Sequence, residues 1–316
     1  FDQIVSRSPQ MKLLKQLADE VAQTDATVLI TGESGTGKEL FAQGIHASSP
    51  RSKGPFVALN CAGIPEHLLE SELFGYQRGA FTDAKQAKPG RFQQAEGGTL
   101  FLDEIGEMSP SAQAKLLRVM ETHQVDPLGD TRSIHVNIRV IAATNEDLPA
   151  QIKAGRFRLD LYYRLNVYQL RIPPLRERPE DIEPILTSFL DVARRDHACR
   201  IKGITPAALT ILQGHDWPGN VRELHNVVEG LTITCKGEMI QPDHLPASVR
   251  DTGSAGSNGE VEKTSLLAFG LSAQEMEKKL LKEALQQTGG NISEASRLLK
   301  ITRNTLRYRM AKYHLS

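Results

Sequence analysis

With 316 residues, 40% of them hydrophobic and 24% charged, the chain is long enough for two or three globular domains. No apolar run reaches the length of a membrane span and no signal segment opens the chain. Its cysteines, Cys61, Cys199 and Cys235, lack metal spacing and read as reduced thiols of a cytoplasmic protein. A formal net charge of zero hides an asymmetry, because residues 271–316 hold nine Lys/Arg against four acids. That leaves +5 at the C-terminal end and −5 on the rest, which points to nucleic acid at one end only.

From Pro9 to Val21, apolar residues at Leu14, Leu17, Ala18 and Val21 keep helical spacing. The β-branched run from Thr27 to Thr31 predicts a strand, and a helix-compatible segment begins at Leu40. Between them stand Gly32, Glu33, Ser34, Gly35, Thr36, Gly37, Lys38 and Glu39. Strand, glycine loop and helix form the context of a nucleotide-binding P-loop. Glycines let backbone N–H groups curl around phosphate oxygens, the helix dipole faces the same anion, and Lys38 supplies a charge for the β- and γ-phosphates. The Mg²⁺-ligating hydroxyl that usually follows the lysine is replaced by Glu39.

A short strand follows at 55–60, then a helix over 65–74 ending at Gly75. The segment Tyr76 to Ala84 has no core pattern around the apolar Phe81, and reads either as a plain loop or as one that presents Phe81 to a partner. Residues 97–104 predict a buried strand ending in Asp103 and Glu104. In a P-loop ATPase, an acid at this strand end holds Mg²⁺ and the next orients or deprotonates the attacking water. Past a helix at 111–121, a strand over 138–145 ends in polar Thr144 and Asn145, within reach of a γ-phosphate or its water. The last strand spans 167–172. Alternating strands and helices mean a doubly wound parallel sheet with its ligand at the strands' carboxyl edge.

Residues 175–250 read as all-helical, with helices over 181–193, 206–212 and 219–235. Arg222 lies early on the third, placed to reach back to the nucleotide. The glycine- and serine-rich stretch at 251–264 reads as a linker. A helix over 271–288 carries Leu271, Met276, Leu280, Leu281 and Leu285, apolar surface suited to a dimer bundle. Asn291 then caps a short helix to Leu299, and Thr302 caps a final helix to Tyr313 bearing Arg303, Asn304, Thr305, Arg307 and Arg309. Two short helices across a tight turn, the second basic, match a helix-turn-helix. The division is therefore 1–173 α/β nucleotide-binding, 174–250 helical lid, 251–264 linker and 265–316 DNA-binding.

Over nearly its whole length the chain resembles the bacterial enhancer-binding proteins, AAA+ ATPases that activate transcription by sigma-54 RNA polymerase. The matching stretches are Gly32–Glu39, Glu72–Gly75 with Gly79–Ala84, Gly97–Glu104, Ala143–Asn145, Gly155–Arg164, Pro174–Arg178 and Trp217–Leu224. The C-terminal module is similar to the family's Fis-type helix-turn-helix. The resemblance implies an α/β P-loop AAA+ sheet with a helical lid, followed by an all-α DNA-binding domain. It implies ATP and Mg²⁺ as cofactors, with Asp103 and Glu104 as the Walker B acids and Asn145 as sensor I. Arg158 and Arg164 become arginine fingers that reach a neighbouring subunit in a ring, a hexamer in this reading. Asn60 becomes the residue that holds Glu104 until the nucleotide state changes, and Arg222 becomes sensor II. Glu39 is the family's usual residue after the lysine. Phe81 and Thr82 become the loop tip that engages the sigma factor, and Arg303, Asn304, Thr305 and Arg307 the DNA contacts at enhancer sites. Members typically carry an N-terminal sensory or receiver domain, as in two-component systems; none is read in these residues.

The chain departs from the family at Asp83, where the motif has Gly. This position alone favours an alternative reading, a DNA-binding regulator that works by occupancy without remodelling sigma-54 complexes. A third reading, an AAA+ machine for another client, runs against the Phe81-Thr82 loop and the Fis-like module.

Overall fold

The computed structural model describes residues 1, 3–80, 86–130, 132–197, 201–235, 237–250, 288, 291–298, 303, 306 and 310. The chain forms two compact units, Phe1–Ala255 and Gly256–Ser316. The linker expected at 251–264, the helix expected over 271–287, Cys199 and the loop-tip residues Phe81, Thr82 and Asp83 lie outside the described residues.

The first unit is built on five parallel strands: β1 (Val28–Thr31), β2 (Phe56–Asn60), β3 (Thr99–Asp103), β4 (Arg139–Thr144) and β5 (Tyr168–Arg171), in the order β2-β3-β4-β1-β5. β4 is buried along its whole length, and β1 and β3 are buried up to their last residue, so these strands carry near-continuous apolar runs. Alternate side chains feed two cores. Leu29, Leu100, Leu102 and Ala142 join one with Leu69, Phe74 and Leu116; Val28, Ile30, Phe101 and Ile141 join the other with Met11, Leu14, Phe41 and Ile45. Parallel register brings Thr31 beside Thr144 and Asn60 beside Asp103, gathering the strand ends at one edge.

Helices α1 (Pro9–Ala22), α2 (Lys38–Ala47), α3 (Glu66–Phe74) and α4 (Pro110–Thr122) cover these faces. Ser8 and Ser109 cap α1 and α4 by accepting from the N–H three residues on, and proline takes the first turn of each. A two-residue antiparallel ladder, Gly75–Tyr76 with Lys88–Pro89, forms a neck on either side of residues 81–85 in the sequence. A second, Gln124–Val125 with Ile134–His135, leads to a turn that meets this neck: Gln77 N donates to Leu128 O at 3.0 Å and Leu128 N to Gly75 O at 2.9 Å. Neither ladder is predicted, because two-residue strands carry no periodicity.

The lid is built from α5 (Ile182–His197), α6 (Pro206–Gly214) and α7 (Asn220–Thr234), which close around Leu186, Leu190, Leu212, Trp217, Leu224 and Val228. It is not all-helical as expected: Gly203–Ile204 and Met239–Ile240 pair in a short parallel ladder, and the first helix runs past Ala193 to His197. In the second unit, Asn291 Oδ1 accepts from Glu294 N at 3.3 Å, the expected cap, and the helix spans Ile292–Leu298. Positions 303, 306 and 310 are helical, with Arg303 exposed and Leu306 buried. Asn304, Thr305 and Arg307 lie outside the described residues. No helix among the described residues is long and apolar enough to cross a membrane.

One buried carboxylate ties the start of the chain to the lid. Asp181 is fully buried, accepts from Ser8 N at 2.7 Å and Ser8 Oγ at 2.8 Å, and stands 3.9 Å from the buried Arg178. Arg178 in turn donates to Thr36 O at 3.2 Å. Removing one partner of a buried pair leaves the other charge uncompensated. Asp181→Ala should therefore lower unfolding stability by ~3–5 kcal/mol, read from urea denaturation, whereas an exposed pair such as Arg7 with Glu183 should contribute at most about 1 kcal/mol.

Candidate nucleotide site

The loop after β1 delivers its groups where the strand ends converge. Gly37 has φ 102°, a left-handed conformation that glycine adopts without strain, and it serves as the N-cap of α2. Lys38, 6% exposed, then turns back over the loop, its Nζ donating to Gly32 O at 3.0 Å. The same ammonium lies 3.5 Å from Glu104 Oε1. Glu104 has φ 51°, unusual for a residue with a side chain, and this backbone swings its carboxylate away from the strand line. Its second oxygen accepts from Asn145 N at 3.2 Å, so β3, β4 and the phosphate loop meet at one carboxylate. Asp103 is half-buried, and its Oδ1 accepts from Glu104 N at 3.0 Å. Burial and the charge of Glu104 hold its carboxyl above the usual carboxylate range, against the opposing pull of Lys38.

Lys38, Asp103 and Glu104 line a cleft of about 270 Å³ with Ser34, Gly35, Gly37, Glu39, Phe189, Val221, Arg222 and His225. Beside it, Ile4, Val5, Leu40, Ile185 and Phe189 form an apolar slot next to Thr36 and Gly37. Ile4, Val5, Ile185 and Phe189 carry no motif in the sequence, and only folding brings them to the loop.

The lid contacts the loop directly. Val221 N donates to Gly35 O at 3.0 Å, and a Cβ on Gly35 would lie 2.3 Å from the carbonyl oxygen of Gly219. Arg222 Nη1 donates to Ser34 Oγ at 2.9 Å. Glu33 accepts from Arg176 Nη1 at 2.8 Å and Nη2 at 2.5 Å, and from Asn220 Nδ2 at 3.1 Å. Sequence reasoning missed Arg176 and Asn220 as loop partners.

Other expected site residues lie elsewhere. Asn60 sits beside Asp103 in the β2–β3 register and its Oδ1 accepts from Ala62 N at 2.7 Å, while Glu104 turns toward Lys38. Arg158 is the N-cap of the helix Leu159–Leu165, and Arg164 lies in its last turn. Arg158 pairs bidentately with Asp160 at 3.0 and 2.7 Å, and Arg164 Nη2 donates to Met120 O at 2.9 Å. Arg164 shares a cavity with Thr27, which precedes β1, so it lies toward the amino edge of the sheet, across from this chain's own phosphate loop. Among the described residues no cluster of three His, Cys, Asp or Glu is placed to hold a metal ion. Cys61 is buried beside Asp103, and burial with the two nearby acids pushes its thiol up to about 12, which leaves it inert as a nucleophile.

Sheet order, phosphate loop, adjacent acids and docked lid together define a P-loop ATPase fold of the AAA+ class. Comparison with known families agrees: residues 4–171 match the Sigma-54 interaction domain, 176–261 the AAA+ ATPase lid domain and 272–313 the bacterial regulatory proteins of the Fis family. The chain belongs to the sigma-54-dependent transcriptional activators. It is 47% identical over 309 residues to the transcriptional regulatory protein ZraR of Klebsiella oxytoca, covering 98% of this chain and 68% of that protein. It is 42% identical over 317 residues to the nitrogen fixation protein AnfA of Azotobacter vinelandii, covering 99% of this chain and 58% of that protein. Among solved structures, NtrX from Brucella abortus in complex with ATP superposes with TM-score 0.73 at 34% identity, covering 98% of this chain and 69% of that chain.

The Glu33 contacts have a pH signature. Hydrogen bonds from Arg176 first, and then Asn220, lower its carboxyl from 4.5 to about 2. A depressed carboxyl contributes stability that is present above pH 4.5 and lost as pH falls toward about 2. A carbon-detected titration of Glu33 should show a midpoint well below that of an ordinary glutamate, and Arg176→Gln should move it upward.

Proposed function

We propose that this chain hydrolyses ATP in the cleft between the sheet edge and the lid, and uses that hydrolysis to remodel a closed sigma-54 RNA polymerase promoter complex. In the same reading the C-terminal unit holds enhancer DNA. The observation that supports it most is the meeting of Lys38, Glu104 and the backbone of Asn145 beside Asp103, at the mouth of a glycine loop.

Each group then has a task. Backbone N–H groups of Gly32 to Lys38 and the N-terminus of α2 bind the phosphates, and Lys38 supplies the point charge. The slot formed by Ile4, Val5, Ile185 and Phe189 is apolar enough to take the adenine ring. Asp103 fits a divalent cation: its half-buried carboxylate stands at the strand end next to Glu104, and a nearby cation would offset their mutual repulsion. A Mg²⁺ held there and by the nucleotide would neutralise charge on the transferring phosphoryl group. Glu104 is the general base, aimed by its left-handed backbone and by Asn145 N, and it orients or deprotonates the attacking water. Arg222, on Ser34, is set to reach the phosphates from the lid.

Arg158 and Arg164 complete the site of a neighbouring subunit. Arg164 faces away from this chain's own loop, and both arginines carry exposed guanidinium groups on a helix that also exposes Leu159 and Tyr163. A ring of copies, a hexamer in this reading, would set that helix against the next phosphate loop. The neck at Gly75–Tyr76 and Lys88–Pro89 carries Phe81 and Thr82, proposed as the sigma-factor contact, and Arg303, Asn304, Thr305 and Arg307 are proposed to contact DNA. Such a protein works in the cytoplasm.

Glu104→Gln should bind ATP with near-normal affinity and turn over below about 1% of wild type, since only the group that acts on water is lost. Near-wild-type turnover in that variant would remove its assigned role. Arg158→Ala and Arg164→Ala should each lower turnover by ~10³–10⁵ if they act as arginine fingers. Mixing Arg164→Ala with Lys38→Ala should restore part of the activity through hybrid interfaces; no recovery would speak against action between subunits. Phe81→Ala should abolish open-complex formation with ATP hydrolysis intact. Open complexes formed by Asp83→Gly but not by wild type would instead favour a regulator acting by occupancy.

A further inference from the structure

Asn220 has no assigned role, yet its side chain ties together three separate parts of the chain. It is fully buried and has φ 51°, in the left-handed region that asparagine tolerates better than most residues. Its Oδ1 accepts from Leu175 N at 2.7 Å, at the entry to the lid. Its Nδ2 donates to Glu33 Oε2 at 3.1 Å and to Ser34 O at 3.1 Å, inside the phosphate loop. Its own N–H donates to Trp217 O at 2.8 Å, which closes the turn that starts α7. Both amide hydrogens and the amide oxygen are thus engaged, in a place where water cannot substitute. Its neighbours Val221 and Arg222 add bonds to Gly35 O and Ser34 Oγ.

We propose that Asn220 is a positioning residue that sets the shape of the phosphate loop from the lid, so that phosphate binding and lid docking are one event. The proposal rests on the nucleotide reading above. Drawing Ser34 O and Glu33 outward leaves the loop's N–H groups turned to the opposite side, where a phosphate sits. Because Leu175 N is held by the same amide, a shift of the lid against the sheet changes the loop, and by linkage a nucleotide on the loop stabilises the docked lid. Only an amide satisfies the geometry, since it must donate to a carboxylate and a carbonyl while accepting from an N–H.

Two substitutions separate this role from backbone effects. Asn220→Gly keeps the left-handed backbone without strain and deletes all three side-chain bonds. Asn220→Asp keeps the shape and the bond from Leu175 N, but sets a second carboxylate against Glu33. The full chain is titrated with fluorescently labelled ATP, with thermal unfolding recorded on the same samples and Lys38→Ala as the non-binding control. Both variants should bind ATP about tenfold to a hundredfold more weakly, the loss expected for hydrogen bonds to a charged partner. In Asn220→Asp the deficit relative to wild type should shrink as pH falls from 8 to 5.5, because the introduced buried carboxyl takes up a proton while Arg176 keeps Glu33 ionised. Adding Glu33→Gln to Asn220→Asp should recover part of the affinity, since the new amide donates to the new carboxylate while the lost bond to Ser34 O is not restored. A residue that only supports the fold would show neither the pH-dependent deficit nor the pairwise recovery. Wild-type affinity in a folded Asn220→Gly chain, or a double variant no better than Asn220→Asp alone, overturns the positioning role. Failure of the wild-type chain to bind ATP overturns the nucleotide reading, and this inference with it.

Discussion

The approach of the lid turn to the phosphate loop is the contact on which the rest of the nucleotide site depends. Gly219 presents its carbonyl where a side chain on Gly35 would be, and Val221 N closes the gap with a hydrogen bond. No other residue type at position 35 allows the two backbones so near. Once they meet, Arg222 falls on Ser34, Asn220 on Glu33 and Arg178 on Thr36, so every residue from Glu33 to Thr36 has a lid partner. The buried pair of Arg178 with Asp181, backed by Ser8, anchors the lid from below.

Across the cleft the sheet supplies rigidity of another kind. Strands buried on both faces hold Asp103 and Thr144 at fixed heights, and the left-handed turn at Glu104 aims one carboxylate at Lys38 and Asn145 N. The strain of that backbone is tolerated because the cores on either side of β3 leave it no freedom to relax. A group proposed to activate water would wander on a long loop; directly after a buried strand, Glu104 is held in one place. Arg164 belongs to the opposite edge, so the fold separates the binding groups from one of the groups proposed to complete a neighbour's site.

The neck formed by Gly75–Tyr76 and Lys88–Pro89 is tied to the helices around the sheet. Helix α3 leads directly into it, and Glu72 braces it through Lys88 and Arg91. Lys115 on α4, the helix after the acidic pair, reaches Glu70 on α3. Partly exposed ion pairs of this kind each add little stability.

The amino-acid sequence by itself determined what short-range physics can write. Continuous apolar runs announced the strands, glycines flanked by a strand and a lysine announced the phosphate loop, and Asn291 marked a helix start by its side-chain oxygen. Asp103 and Glu104 were legible because they end such a run, and the family resemblance supplied roles for Arg158, Arg164 and Asn60 that spacing never could. Tertiary structure alone decided that Asn60 turns to Ala62 while Glu104 turns to Lys38, since a single left-handed residue redirects the side chain. It alone showed the two-residue ladders of the neck and lid, too short for any period to reveal. It alone joined Glu33 to Arg176 and Asn220, and Ile4 and Val5 to Phe189. Those partners lie far apart along the chain, and a hydrogen bond or an apolar contact depends on distance in space, which only packing around the buried sheet and lid establishes.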